Sequence, residues 1–542
     1  MSLQKTKFNR RILPRWRSSQ FAAKNADFLS LSVSKGEKHD DGSSLTQKIV
    51  DFDLQPSVGV AAELMSSARL LNDDPEAKRA AHYLVAHAEH APKSILSLAK
   101  RILTGESDFT ITESIPEHQV KHIRTQLRLQ PRNAMLWSDL ARHYASHGDR
   151  ERALRSMQTA LSLAPDHRWL LRAAARFMVH QEDPRSAHKL LANHPRTRHD
   201  PWLIAAELAC AQVAGRVPKY WSQAKDILRF ERFAPVHISE LATAVAMFEL
   251  EEGQRKNARK LVQKGLVVPT ENTLAQVCWA QEDRHLPDGL NLGLLVNENH
   301  AAYEAEYRLR MTEGDLLGAI NSVLQWAEDE PFAARPCSEL AFIASITDDY
   351  ETTQKMTAKV KQLDGHVDLS LELNAIFTQL SAGNFANPNE PFRIRDRLVS
   401  IGEETRSGSF HAIANLGLWE FRHGSADYAV ALYKKAIEVA QKLRNHESAA
   451  MASVFAAREA VLAEDLSAEF FLSLAHNLVP KAKNKSVDFY LRKVDALKLA
   501  PDQKDLILSP TSVADYLSVE RQEPKVLRID HTPKGATIWL RK

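Results

Sequence analysis

The stretch Trp137 to Asp166, WSDLARHYASHGDRERALRSMQTALSLAPD, spaces its apolar and small residues so regularly that it admits few folds. Trp137, Leu140, Ala141 and Tyr144 follow one another at three, one and three residues, which places them on one stripe of a helix. Gly148 and Asp149 break the pattern. Ala153, Met157, Ala160 and Leu161 then form the inner stripe of a second helix, which Pro165 stops. The spacing predicts two antiparallel helices held close by the small side chains of Ala141, Ala153 and Ala160. Such a hairpin cannot bury both of its sides alone, so it requires neighbours of the same kind.

Those neighbours are present at matching intervals. Leu416, Gly417, Gly424, Ala429, Tyr433 and Ala436 repeat the intervals of Leu140, Ala141, Gly148, Ala153, Met157 and Ala160. Gly314, Ala319, Val323 and Pro331 form a looser copy, as do Gly253, Ala258, Val262 and Gly265. Ala174, Ala175, Ala187 and Leu191 form another directly after the first hairpin, and VDALKLAPD near Pro501 echoes QTALSLAPD. The first unit resembles the tetratricopeptide repeat in its order of Trp, Leu-small, aromatic, Ala, bulky, Ala and Pro over 34 residues. Its one departure is Ala141, where the family most often has Gly.

The resemblance implies an all-α, right-handed α-solenoid of helical hairpins, each stabilised by packing on the next, with an open concave face. Only 19 glycines in 542 residues also favour helix over Gly-rich loops and hairpins. We expect a basic N-terminal arm over residues 1–50, degenerate helical repeats over 51–130, the solenoid proper over 131–501, and a C-terminal extension over 502–542. The arm carries Arg10, Arg11, Arg15 and Arg17 around Trp16, with no acidic residue through Ala26. The extension ends in VLRIDHTPKGATIWLRK, whose turn at Pro533-Lys534-Gly535 predicts a short β-hairpin.

Sites of chemistry are sparse. Cys210, Cys278 and Cys337 are too far apart in sequence for a zinc knuckle or a CxxC pair, and read as buried thiols of a reducing compartment. His82, His87 and His90 share one predicted helix but lack a marked third or fourth ligand, so no metal or other cofactor is expected. Asp200 in NHPRTRHDPW is better placed to cap the helix near Trp202 than to act with His199. Ser407, Ser409 and His411 lie in a Ser-Gly turn with no sign of a nucleophile's supporting groups. No GxSxG, HExxH or GxxxxGK[ST] motif occurs. The chain is therefore expected not to be an enzyme. No apolar run reaches the roughly 18 residues that span a bilayer, and a cytoplasmic protein is expected.

In proteins of the family resembled here, the first helix of each repeat lines the groove. Carried onto this sequence, the groove positions are Ser138 and Arg142, Arg172 and Arg176, Glu304 and Arg308, and then His411, Leu418 and Phe421. The three arginines on adjacent helices suit a carboxylate or phosphate, while Leu418 and Phe421 suit a helix or an extended peptide. The expected function is a scaffold or adaptor that binds a partner polypeptide, with an acidic segment against the arginines, along the groove. The alternative is a nucleic-acid-associated subunit in which the basic arm and the groove arginines form one track. The net charge of +3 gives no global reason for the latter.

Overall fold

The computed structural model describes residues 13–19, 43–70, 74–91, 93–104, 116–230, 233–282, 292–299, 301–404, 409–482, 484–499, 529–532 and 535–538. It is built almost wholly of helices. In chain order they are α1 Ser43–Leu54, α2 Val58–Leu70, α3 Asp74–Ala86, α4 Lys93–Thr104, α5 Pro116–Leu129, α6 Ala134–Ser146, α7 Arg150–Leu163, α8 Arg168–His180, α9 Pro184–Asn193, α10 Pro201–Val213, α11 Trp221–Phe230, α12 Pro235–Glu251, α13 Arg255–Gly265, α14 Glu271–Glu282, α15 Leu292–Glu298 and α16 Tyr303–Glu313. There follow α17 Leu316–Asp329, α18 Ala334–Ile346, α19 Tyr350–Asp364, α20 Leu369–Ala382, α21 Glu390–Glu404, α22 Ser409–His423, α23 Ala426–Lys442, α24 His446–Leu462, α25 Ala468–Leu478 and α26 Ser486–Leu499. Consecutive helices pack as hairpins, and the first helix of one hairpin meets the first helix of the next, as in α6 to α8, α10 to α12 and α22 to α24. That is the packing of an α-helical solenoid. Contacts divide the chain into two compact units: unit 1 holds Met1–Ala305 with Trp326–Ala333, and unit 2 holds Glu306–Gln325 with Ala334–Lys542.

The founding hairpin forms as its spacing predicts. Asn133 opens α6 by accepting from the amides of Met135 and Leu136, and Asp149 opens α7 by accepting from that of Arg152, so each helix start has orphan donors satisfied. Ala141, Ala153 and Ala160 are completely buried, with Leu140, Tyr144 and Met157 beside them in one core.

In several hairpins of unit 1 the backbone passes through one left-handed residue between the helices: Gly148 (φ 75°) after α6, Glu182 (φ 64°) after α8, Gly215 (φ 63°) after α10 and Gly253 (φ 80°) after α12. The same turn recurs in unit 2 at Asp348 (φ 62°), Gly383 (φ 64°) and Glu464 (φ 52°). In several turns an Asp follows, and its side chain caps the next helix, as Asp149, Asp183 and Asp349 do. The left-handed residue reverses the chain and the Asp restarts it.

Close approach is enforced by small residues at the crossings. A Cβ on Gly417 of α22 would lie 2.8 Å from Cδ2 of Tyr433 on α23, and Tyr433 is itself buried against Phe471 and Phe421. In α6 the corresponding position holds Ala141, and Met157 stands at the same interval in the same core. Gly417→Ala gains helix propensity of about 1 kcal/mol, but the ring has no room to retreat, and overpacking costs about 1–3 kcal/mol. We expect a net loss, read as a lower thermal midpoint of the purified chain, whereas Ala141→Gly should lose stability for the opposite reason, through helix entropy.

The helical fold is thereby established, whereas the terminal β-hairpin is not. Its strand pairing, Ile529–Thr532 against Gly535–Ile538, is four residues on four, and an isolated ribbon of that size is marginal. Among the described residues, no helix is long and apolar enough to cross a membrane.

Candidate functional site

In unit 1 several helices carry polar side chains that are nonetheless buried, and Ser138, Asp139, Glu304, Asp329 and Glu330 among the buried polar residues meet the chain's own N-terminal segment. Leu13–Ser19 runs without regular structure through residues 14–18. Trp16, Arg17 and Ser19 are at most 1% exposed. Over these residues the expected basic arm is packed within unit 1; Arg10 and Arg11 lie outside the described residues.

Trp16 is the anchor. Its indole meets the edge of Phe177 on α8 at 5.5 Å and the ring of Phe332 at 4.7 Å, and its Nε1 donates to Oγ of Ser138 on α6 at 3.2 Å. A buried indole with its N–H satisfied keeps its full apolar contribution.

On either side of Trp16 an arginine reaches carboxylates. Arg15 donates to Glu304 on α16 and to Glu330 just beyond α17, and its guanidinium stacks 5.7 Å from the Trp326 ring. Burial works to discharge Arg15, but Glu330 and Glu304 hold its pKa above the ordinary value. Both acceptors are preset: Trp279 Nε1 donates to Glu304 at 2.7 Å, and Trp326 Nε1 donates to Glu330 at 3.0 Å. Burial raises Glu330 toward protonation, yet Arg15, Arg176 and those hydrogen bonds overcome it and keep the carboxyl below its usual range. Arg17 donates to Asp329 at 2.9 Å and to the Ala301 carbonyl at 3.0 Å, and lies 3.1 Å from Glu271 on α14. Asp329 differs from Glu330, because burial prevails over Arg17 and raises its pKa. Ser19 closes the segment by donating from its amide (2.8 Å) and its hydroxyl (2.5 Å) to Asp139 on α6.

The expected groove residues fall around this segment but are not open to a partner. Ser138 is the acceptor for Trp16. Arg142 donates to the carbonyls of Glu328 and Asp329, capping the C-terminus of α17, where carbonyls lack helical partners. Arg172 pairs with Glu240 at 2.6 Å and lies over the Trp202 ring at 4.6 Å. Arg176 approaches Glu330 at 4.0 Å and stacks on Phe332 at 5.2 Å. Arginines expected to meet an external acid are thus engaged internally, and the inner surface presents carboxylates to an internal base.

The unit 2 candidates do not form a comparable site. Arg308 approaches Glu339 at 3.4 Å and is buried. Leu418 is fully buried in the core of α20–α26 rather than lining a groove, and Phe421 packs against that core beside Tyr433. His411 is exposed on its helix and shares a hydrogen bond with Ser448 at 3.2 Å. His87 of the histidine cluster stacks on Tyr83 at 4.1 Å, and among the described residues no group of three potential metal ligands comes together. Asp200 caps α10 through the Trp202 amide. Cys210, Cys278 and Cys337 are buried, and burial pushes the Cys210 thiol up to about 12.

His143, beside Arg142 on α6, carries a pH signature. Burial first, then Arg142 and His147, lower its pKa to about 4. Its unfolded value is about 6.5, so its share of stability is complete above pH 6.5 and is lost as pH falls toward 4, up to about 3 kcal/mol. His143→Gln should therefore gain on the parent chain progressively from pH 6.5 down to 4, measured as the difference in thermal midpoint; a constant difference would place the acid sensitivity elsewhere.

No protein-family model matches the chain, and no curated protein matches it either.

Proposed function

We propose that this protein is a non-enzymatic, cytoplasmic interaction scaffold related in design to tetratricopeptide-repeat proteins, whose inner helical face takes an extended polypeptide. One observation carries the reading: within unit 1, residues of α6, α8 and α14 together with Glu304 hold Leu13–Ser19 by an aromatic anchor, two arginine–carboxylate sets and a terminal serine. Anchors of this kind dominate peptide recognition. The recurring left-handed turn at intervals of 34 and 33 residues through Gly148, Glu182 and Gly215 supports the family relation.

The nucleic-acid alternative loses part of its basis, since Arg15 and Arg17 are committed to carboxylates and Arg142 and Arg172 to internal acceptors. It would rest on Arg10 and Arg11. The test reconstitutes partners captured from the native cell as purified components, alongside fluorescence anisotropy with single-stranded RNA and duplex DNA at about 150 mM salt. A stoichiometric complex with a purified protein supports the scaffold. Nucleic-acid binding that persists at that salt and disappears in Arg10→Ala/Arg11→Ala would put the alternative in its place.

A further inference from the structure

The segment Leu13–Ser19 is held in a manner that does not depend on its belonging to the same chain. It has no regular secondary structure over residues 14–18, and the bonds that hold it include those of the side chains of Arg15, Trp16 and Arg17 and of the amide and hydroxyl of Ser19. Residues 20–42 separate it from α1. The receiving groups are organised without it: Glu304 and Glu330 are oriented by the indoles of Trp279 and Trp326, and Arg176 already lies on Phe332. Preorganised acceptors around an aromatic pocket are the anatomy of a binding site.

We propose that this slot is a binding site for extended peptides carrying an aromatic residue between two arginines, that Leu13–Ser19 is its resident occupant, and that a partner protein bearing such a segment replaces it. The inference rests on the scaffold reading and names the chemistry of its ligand. Three features set the specificity. The gap between Phe177 and Phe332 takes a flat ring whose N–H or O–H can reach Ser138. Glu304 and Glu330 suit a forked guanidinium before that ring, and Asp329 and Glu271 suit one after it. Asp139 reads a following backbone amide and hydroxyl, which fixes the direction of the chain. An empty slot would take Arg15 from the buried Glu304 and Glu330 and Arg17 from the buried Asp329, so release without replacement is disfavoured and exchange is the natural event. The resident segment competes intramolecularly, so a weak external peptide is excluded until the resident is weakened.

The probe is a fluorescein-labelled, end-capped peptide of the sequence Leu13–Ser19, titrated into the full-length chain and followed by anisotropy. The wild-type chain should bind it poorly. The full-length Trp16→Ala chain, checked for helicity by circular dichroism, should bind it at least tenfold more tightly, and a peptide with Ala in place of the Trp should bind neither. Adding Glu304→Gln and Glu330→Gln to the Trp16→Ala chain should remove that gain. Should Trp16→Ala not fold, Arg15→Lys keeps the charge while losing the fork, and should give a gain of several-fold. A folded variant chain that binds the peptide no better than wild type overturns the proposal. A wild-type chain that is dimeric by light scattering and becomes monomeric on adding peptide would assign the slot to a second copy instead, and overturns it too. Neither result touches the reconstituted partner complex that tests the scaffold reading, so the two can fail separately.

Discussion

Replacing Trp16 with alanine is expected to lower the stability of unit 1 by about 3–5 kcal/mol, the cost of emptying a fully buried aromatic site. The side chain is inaccessible to solvent and lies between Phe177 and Phe332, which would face a void too apolar to hold water. Ser138 would lose the indole N–H. The flanking arginines are worth less individually. Without Arg17, Asp329 can relieve its burial by taking up a proton, toward which its pKa is already raised. Without Arg15, Glu330 keeps Trp326 and Arg176. Trp16→Phe should lose only about 1–2 kcal/mol, through the missing hydrogen bond and the smaller ring. The measurement is hydrogen exchange with mass spectrometry: Trp16→Ala should deprotect α6, α8 and the segment after α17 together. Unchanged protection in α8 with wild-type thermal stability would mean that the segment does not seat there in solution.

The contrast between what could be read in the sequence and what could not has a physical basis. Ala141, Ala153 and Ala160 announced the first hairpin because small side chains at helix crossings serve a local contact, and local contacts leave a fixed spacing. Gly417 announced the crossing with Tyr433 for the same reason. Reversing turns at Glu182, Asp348 and Glu464 have no such signature, since left-handed backbone at an acidic residue leaves no glycine to mark it. The docking of Trp16 leaves no spacing at all: its hydrogen-bonding partner is 122 residues away, and that of Arg17 is 312 away. A signal for it did exist in charge. An arm without acids and the run Glu328-Asp329-Glu330 are complementary, but composition alone does not say that they meet. The spacing that marks Arg142 and Arg172 does not say what they bind, because both find their acceptors within unit 1.

The second large effect is expected in unit 2 at Arg458 on α24, which is 2% exposed. Its guanidinium donates to Glu459 at 2.6 Å, to Asp348 at 3.2 Å, to the Tyr490 hydroxyl at 2.8 Å and to Ser381 at 2.8 Å. It also lies 4.9 Å from the Phe455 ring and 5.3 Å from that of Phe377. One side chain thus joins the turn after α18, helix α20, helix α24 and helix α26. Arg458→Met fills similar volume but removes the charge, leaving Glu459 with Arg422 and leaving Asp348 with Tyr490 and the more distant Lys493 at 3.8 Å. Breaking a buried pair on one side costs about 3–5 kcal/mol, because the remaining charge stays buried. The source of that cost can be isolated at Asp348, whose left-handed backbone a glycine adopts without strain. Asp348→Gly alone should destabilise, since Arg458 and Lys493 lose an acceptor. Combined with Arg458→Met, it should cost less than the two changes added together, by about 1–3 kcal/mol of coupling. Hydrogen exchange across Ala334–Leu499 reads this directly. Strict additivity would show that Arg458 acts through its packing against Phe377 and Phe455, and that the Asp348 carboxylate is held in place by Tyr490 and Lys493.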